Sequence, residues 1–400
     1  MSNLKDHREI GRELDLFSFH DVAPGAVFWH HKGYLIYRTL VESLRKLLSE
    51  HNYQEIFTPV MIKSQLMKRS GHWDFYHENI FNLLSDDEEY SLKPMNCPEA
   101  CLVYSTKVRS YQDLPIRFSE FGVLHRNELS GVLGGAFRVR QFSIDDVHHF
   151  VRPDQIQDEI REVLGMVVEF YKKFGFKPQF YLSTKPDKAL GDPKLWEQAE
   201  SDLKKALENS KVKFGVKEKD GAFYGPKIDI HIKDSQDRDW QLATVQLDFQ
   251  IPEKMKIEYT DSDGSAKRPV IVHQAILGSV ERFIGIITEH FQGAFPLWLS
   301  PVQVEVLAVS DKHNKIAQEV HESLVKEGIR SQLNAENKML GAKIRESTLQ
   351  KIPYMIIMGD KETAVKPLSV SVRTQDGKDL GLQKLTEFVQ LIKSEIEKTQ

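Results

Sequence analysis

Residues 117–150 read RFSEFGVLHRNELSGVLGGAFRVRQFSIDDVHHF, and the rest of the chain is best understood from them. Two apolar runs flank Ser130-Gly131-Val132-Leu133-Gly134-Gly135, a turn signal, so the spacing predicts strand, mobile loop, strand. Alternation along a strand puts Arg126 and Glu128 on one face, His125 and Asn127 on the other, and gives Arg138 and Arg140 a shared face. Guanidiniums gathered on a sheet face, Arg117 among them, suit a ligand with phosphates or carboxylates, because the planar fork binds both bidentately. For an anonymous hairpin, solvated arginines on an exposed strand pair are the plainer reading. The added Asp145-Asp146-Val147-His148-His149 cluster tips the balance toward a ligand site.

Upstream, Asp6 to Phe19 reads as a short amphipathic helix, and Ala26 to Trp29 as a strand start. Apolar residues from Leu35 through Leu47 follow helical spacing. Tyr53 to Pro59 reads as a strand whose proline suits an edge, and Ser85 to Glu89 as a solvated loop. Downstream, Asp154 is placed to cap a helix with the stripe Ile156, Ile160, Val163, Leu164, Val167 and Phe170. Helical spacing recurs from Leu195 to Leu207, the turn Gly221 to Lys227 leads into the strand Ile228 to Ile232, and another strand runs from Gln241 to Phe249. A long helix is expected over Gln274 to Phe291.

Phe295 to Pro301 marks a boundary, beyond which strands and helices alternate. The expectation is therefore an α+β chain: residues 1–298 forming a mostly antiparallel sheet flanked by helices, then a smaller α/β domain at 299–400. With 54 basic and 58 acidic residues, the chain is not a general polyanion binder and would meet nucleic acid through local patches. Two cysteines, Cys97 and Cys101, make no disulfide framework and suggest a reducing compartment. With neither a signal peptide nor a long apolar run, a soluble cytoplasmic protein with no membrane contact is expected.

Over essentially its whole length the sequence resembles the threonyl-tRNA synthetases, members of the class II aminoacyl-tRNA synthetases. Three short motifs carry the resemblance: Thr58-Pro59, Arg126-Asn127-Glu128 with the loop to Arg138, and Gly278-Ser279-Val280-Glu281-Arg282. Lys93 to Pro98, Asp146-Val147-His148 and Val272 to Gly278 narrow the class to threonine. The resemblance implies an enzyme that activates threonine with ATP and transfers it to tRNA(Thr), acting as a homodimer through the Thr58-Pro59 motif.

The same resemblance implies zinc on Cys97, His148 and His273, each of which taken alone reads as a core or surface residue. One thiolate and two imidazoles leave a fourth position for substrate. It further implies ATP, accompanied by Mg2+, at Arg126, Glu128, Arg138, Phe142, Gln241, Ser279 and Arg282. Threonine falls to Met95, Arg126, Asp146, Tyr224 and Gln246. Arg126 and Arg282 become catalytic, His72 is assigned to the transfer step, and Asn337, Glu362 and Arg373 to anticodon bases. An apolar pocket separates threonine from valine only weakly, whereas zinc and Asp146 can test for the hydroxyl. Serine carries the same groups. The family's N-terminal editing domain is not expected within this sequence, which begins just before the core: either the sequence is a piece of a longer protein, or editing is lacking or supplied elsewhere.

This sequence departs from the family in three places: Glu99-Ala100 follows Cys97-Pro98 where Gly-His is common, Gly134 stands for His, and Ile144 for Gln. Rival readings are a prolyl or histidyl enzyme of the same class and a catalytically silent RNA-binding paralogue. The full set of motif arginines and zinc ligands argues against the latter.

Overall fold

The computed structural model describes residues 4–189, 191–222 and 224–399. Phe223, within the expected turn of Gly221 to Lys227, lies outside them. The chain divides into two compact units. One holds Phe19–Val27 and Leu44–Ile286; the other holds the described residues up to Ser18, Phe28–Ser43 and those from Ile287 onward.

The first unit is built on an eight-stranded sheet. Its strands are β1 (Gln54–Glu55), β2 (Ile116–His125), β3 (Gln141–Val151), β4 (Gln179–Ser183), β5 (Phe214–Lys217), β6 (Lys227–Lys233), β7 (Asp239–Asp248) and β8 (Val270–Ala275). They lie in the order β5-β4-β6-β7-β8-β3-β2-β1. All neighbours are antiparallel except the outermost pairs, β5–β4 and β2–β1. The strand expected over Tyr53 to Pro59 is only Gln54–Glu55, which ends before Pro59 and lies at the edge of the sheet. Helix α1 (Cys97–Tyr104) carries Cys97 and Cys101, both buried and unbridged. Helix α2 (Ile156–Lys172) buries the expected stripe. Tyr171 on it donates its hydroxyl to the Ile276 carbonyl at 2.6 Å.

Several local expectations are corrected. The central hairpin is there, but β2 stops at His125 and β3 starts at Gln141. Arg126, Glu128, Arg138 and Arg140 therefore sit in the connection, where strand alternation does not apply. Arg117 serves no ligand: its fork closes on Glu159 (2.6 and 2.7 Å) and Glu162 (2.7 Å) of α2. Ser85 to Glu89 is not an open loop. Phe81–Ser85 and Glu88–Leu92 form a tight hairpin across Asp86 and Asp87, both at positive φ, as such turns require.

Asp154 does not cap α2. Pro153–Gln155 forms a 3-10 turn, Gln155 accepts from the Arg152 backbone at 3.0 Å, and Asp154 pairs with the Arg152 guanidinium. The helix expected over Gln274 to Phe291 begins only at Val280 as α3 (Val280–His290), and Gln274 and Ala275 belong to β8. Val270-Ile271-Val272 is a β-branched run buried on both faces, the signature of a central strand rather than a helix. Gly278, at φ +67°, breaks the chain before the helix starts.

In the second unit, Asp6 caps a helix His7–Glu13 through the backbone N–H groups of Arg8 and Glu9, so the opening helix is shorter than expected. The five-stranded sheet comprises β9 (Val304–Ala308), β10 (Ser331–Asn334), β11 (Tyr354–Met358), β12 (Ser369–Thr374) and β13 (Asp379–Lys384), in the order β10-β9-β11-β12-β13. β9 runs parallel to both neighbours, while β12 is antiparallel to β11 and β13. Helices Asn314–Lys326, Leu340–Leu349 and Leu385–Thr399 alternate with these strands, as expected.

Candidate functional site

One row of side chains crosses the middle of the large sheet. Gln246 of β7 lies opposite His273 of β8, and His273 lies opposite His148 of β3. Register partners share a face, and the two-residue period adds Thr244, Asp146 and Ile144 to it. Gln246, Thr244, His273, Asp146 and Ile144 line a cavity of about 250 Å3 with Met95, Cys97, Arg126 and Tyr224; His148 is not part of that lining and joins it through Cys97 and His273. The sheet thus brings together all the residues assigned to threonine. Tyr224 donates its hydroxyl to Gln246 Oε1 at 3.1 Å.

Cys97, His148 and His273 each offer a ligand atom within 4.8 Å of the others, and all three are buried. Among the described residues this is the one cluster of three or more such donors. The His148 and His273 rings meet edge to face at 4.9 Å. His148 Nε2 is buried with no hydrogen-bond partner, as a nitrogen aimed at a cation would be. Burial pushes the Cys97 thiol up and the His148 imidazole down. A metal favours the deprotonated form of each, which is the ligating form. The donor set fits zinc.

Behind His273 stands Asp248, fully buried, whose Oδ2 lies 3.0 Å from His273 Nε2. Its other oxygen accepts the backbone N–H groups of Gln250 and Ile251. A carboxylate of this kind fixes the imidazole's tautomer and leaves Nδ1 as donor. Sequence reading missed Asp248, because nothing local ties a strand-end aspartate to a histidine on another strand. Asn96 was missed for the same reason.

His72 is buried, not a surface residue: Nδ1 lies 2.8 Å from Ser70 Oγ and Nε2 3.4 Å from Cys97 Sγ. His149 and Cys101 are buried outside the cluster, Cys101 within a hydrophobic core. His149 sits between Glu159 (2.8 Å) and Gln274 (2.9 Å). Ile144, one of the departures from the family, is part of the cavity wall.

Of the residues assigned to the nucleotide, Arg126 lines the cavity. The Arg126 guanidinium packs over Phe142 at 5.0 Å and donates to the Pro94 carbonyl at 3.3 Å. Arg138 and Glu128 pair with each other at 2.8 Å. Arg282 lies over Trp240 at 5.5 Å, and Ser279 Oγ accepts its backbone N–H at 3.2 Å. Gln241 donates its amide to Asp229, a buried carboxylate that also receives Ser183, Lys227 and Thr244. Asp229 gave no signal in the sequence.

In the second unit, Asn337 is exposed between β10 and the helix Leu340–Leu349. Arg373 is half-buried on β12, donating to the Gly377 carbonyl at 3.2 Å. Glu362 is buried, with one oxygen accepting from the Gly359 backbone and the other from Ser371.

Residues 81–291 match the family described as tRNA synthetase class II core domain (G, H, P, S and T), and residues 303–395 match an anticodon binding domain. A threonine--tRNA ligase from Caldanaerobacter subterraneus subsp. tengcongensis is 50% identical over 98% of this chain and 61% of its own length. This chain spans about three fifths of the curated relatives it matches. Among solved structures, one described as the RNA binding domain of threonyl-tRNA synthetase from Cryptosporidium parvum Iowa II is 40% identical, with a TM-score of 0.94 and 98% of each chain covered. A putative threonyl-tRNA synthetase from Aeropyrum pernix superposes at a TM-score of 0.86 with 26% identity, over 99% of this chain and 97% of its own.

Proposed function

Because the chain belongs to the class II tRNA synthetases, within the group of threonine--tRNA ligases, we propose that it activates threonine with ATP and transfers it to the terminal adenosine of tRNA(Thr). The observation that carries this reading is the row Gln246–His273–His148, which sets two imidazoles beside Cys97, with Cys97, His273, Gln246 and Asp146 lining one cavity. An amino acid held there meets donors suited to an amine and a hydroxyl, a pair that threonine has and valine lacks. Zinc held by Cys97, His148 and His273 would supply Lewis-acid recognition of that pair.

The chain's own residues do the rest. Asp146 accepts the hydroxyl, and Tyr224 and Gln246 enclose the amino acid with Met95. Arg126, fixed over Phe142, bridges the amino-acid carboxylate and the α-phosphate, so the carboxylate attacks phosphorus in line while pyrophosphate leaves. Arg282 takes the distal phosphate, Gln241 and Ser279 lie beside the nucleotide, and bound Mg2+ would screen the triphosphate charge. Phe142 stacks on the adenine ring. Glu128 takes its amino group and Arg138 a phosphate, which requires their mutual ion pair to open. His72 is assigned to the transfer step, in which the tRNA 3′-hydroxyl attacks the adenylate. Residues 299–400 bind the anticodon through Asn337, Glu362 and Arg373, and the protein works as a homodimer paired through the Thr58-Pro59 segment.

Threonine-dependent ATP–pyrophosphate exchange, with zinc content near one per chain, tests the reading. Cys97→Ser is expected to lose both zinc and threonine activation. Activation of proline in place of threonine would overturn the assignment, and a fully active zinc-free protein would remove the metal.

A further inference from the structure

Asn96 occupies the N-cap of α1, where asparagine ordinarily turns its side chain back onto the helix's free N–H groups. Here it makes no such cap. Its fully buried amide instead donates Nδ2 to Asp146 Oδ2 at 3.0 Å, while Oδ1 is buried with no partner. That orientation is forced: turned over, the amide would set its own oxygen against a carboxylate.

Room for the amide comes from Gly122 on β2. A Cβ there would fall 2.5 Å from Asn96 Oδ1 and 2.9 Å from Nδ2. Gly122 has no left-handed backbone angle to explain it, and glycine weakens a strand interior, so what it supplies is space. The other oxygen of Asp146, Oδ1, lies 3.8 Å from His148 Nε2, on the side of the cluster that would hold zinc.

We propose that Asn96 is a positioning residue for amino-acid selection: seated against Gly122, its amide occupies one oxygen of Asp146 and leaves the other turned toward the substrate hydroxyl. The assignment rests on the threonine reading above and deepens it. It names two residues, one on a helix N-cap and one on a neighbouring strand, that touch no substrate.

The test is pyrophosphate exchange with the full-length protein, following KM for threonine and for ATP separately, alongside zinc content. Asn96→Asp keeps the shape but replaces the donor with a like charge. Gly122→Ala keeps every polar group but takes away the room. Both are expected to raise KM for threonine about tenfold or more, with KM for ATP within about twofold and zinc unchanged. In an Asp146→Asn background, Asn96→Ala is expected to weaken threonine binding no further, because its only route of action has gone.

An unchanged KM for threonine in both variants overturns the proposal. So do equal rises in both KM values, loss of zinc, or additive losses in the double variant; each would make Asn96 a general support of the fold. If the unmodified protein shows no threonine-dependent exchange, the function itself fails, and that result is told apart because it appears before any variant is made.

Discussion

Asp248 illustrates how a single residue can serve two structures. One oxygen holds two backbone N–H groups at the start of the helix Gln250–Met255, and the other orients His273. Asp248→Asn keeps the first role in part and weakens the second. Zinc affinity is expected to fall about 10- to 100-fold, read by competition with a metal-buffering chelator, while the melting temperature changes little. Loss of the fold with no selective loss of zinc would contradict this. Which residues could bind zinc was legible only through resemblance to a known family. Cys97, His148 and His273 are scattered along the chain, and no spacing rule joins them. Asp248 and Asn96 were not legible even so, because their partners lie on other elements.

At the scale of elements, the link between β2 and α2 is ionic. Burial alone would raise the Glu159 carboxyl, but the Arg117 fork and the His149 ring outweigh it and hold it down at about 2. A carboxylate depressed from its ordinary 4.5 contributes stability that is present above that value and lost as pH falls toward 2. Thermal unfolding followed across that window is expected to show a steep acid limb. Glu159→Gln should flatten it, at a cost of about 1–3 kcal/mol near neutrality because the part-buried guanidinium loses its main partner and keeps Glu162 and the His51 carbonyl; an equally steep limb in the variant would place the acid sensitivity elsewhere. Elements with clean periodicity, such as α2 and the helix Asn314–Lys326, could be read from the sequence. β8 could not, since a continuous apolar run suits a buried strand and a helix alike, and only Gly278 marks the break. β13 was missed for the opposite reason: its residues are mostly exposed and carry no apolar alternation.

For the whole molecule, the two units predict separable activities. Arg373→Ala on β12 is expected to raise KM for tRNA(Thr) in aminoacylation about tenfold or more, as losing a contact to a base edge would, while threonine-dependent pyrophosphate exchange stays within about twofold. A parallel fall in both would mean that Arg373 supports the fold and does not read RNA. Chain order adds a further consequence. β8 pairs with β7 on one side and β3 on the other, so it joins a sheet half made from residues 54–151 to one made from residues 179–248. During synthesis both halves exist before the strand that connects them, each with an unpaired inner edge of the kind that invites association between chains. His273 arrives on that last strand and meets His148 across the newly closed seam. Assembly of the Cys97–His148–His273 cluster is therefore a chemical record that the sheet has been completed in register, since a slip of one residue would turn His273 to the opposite face.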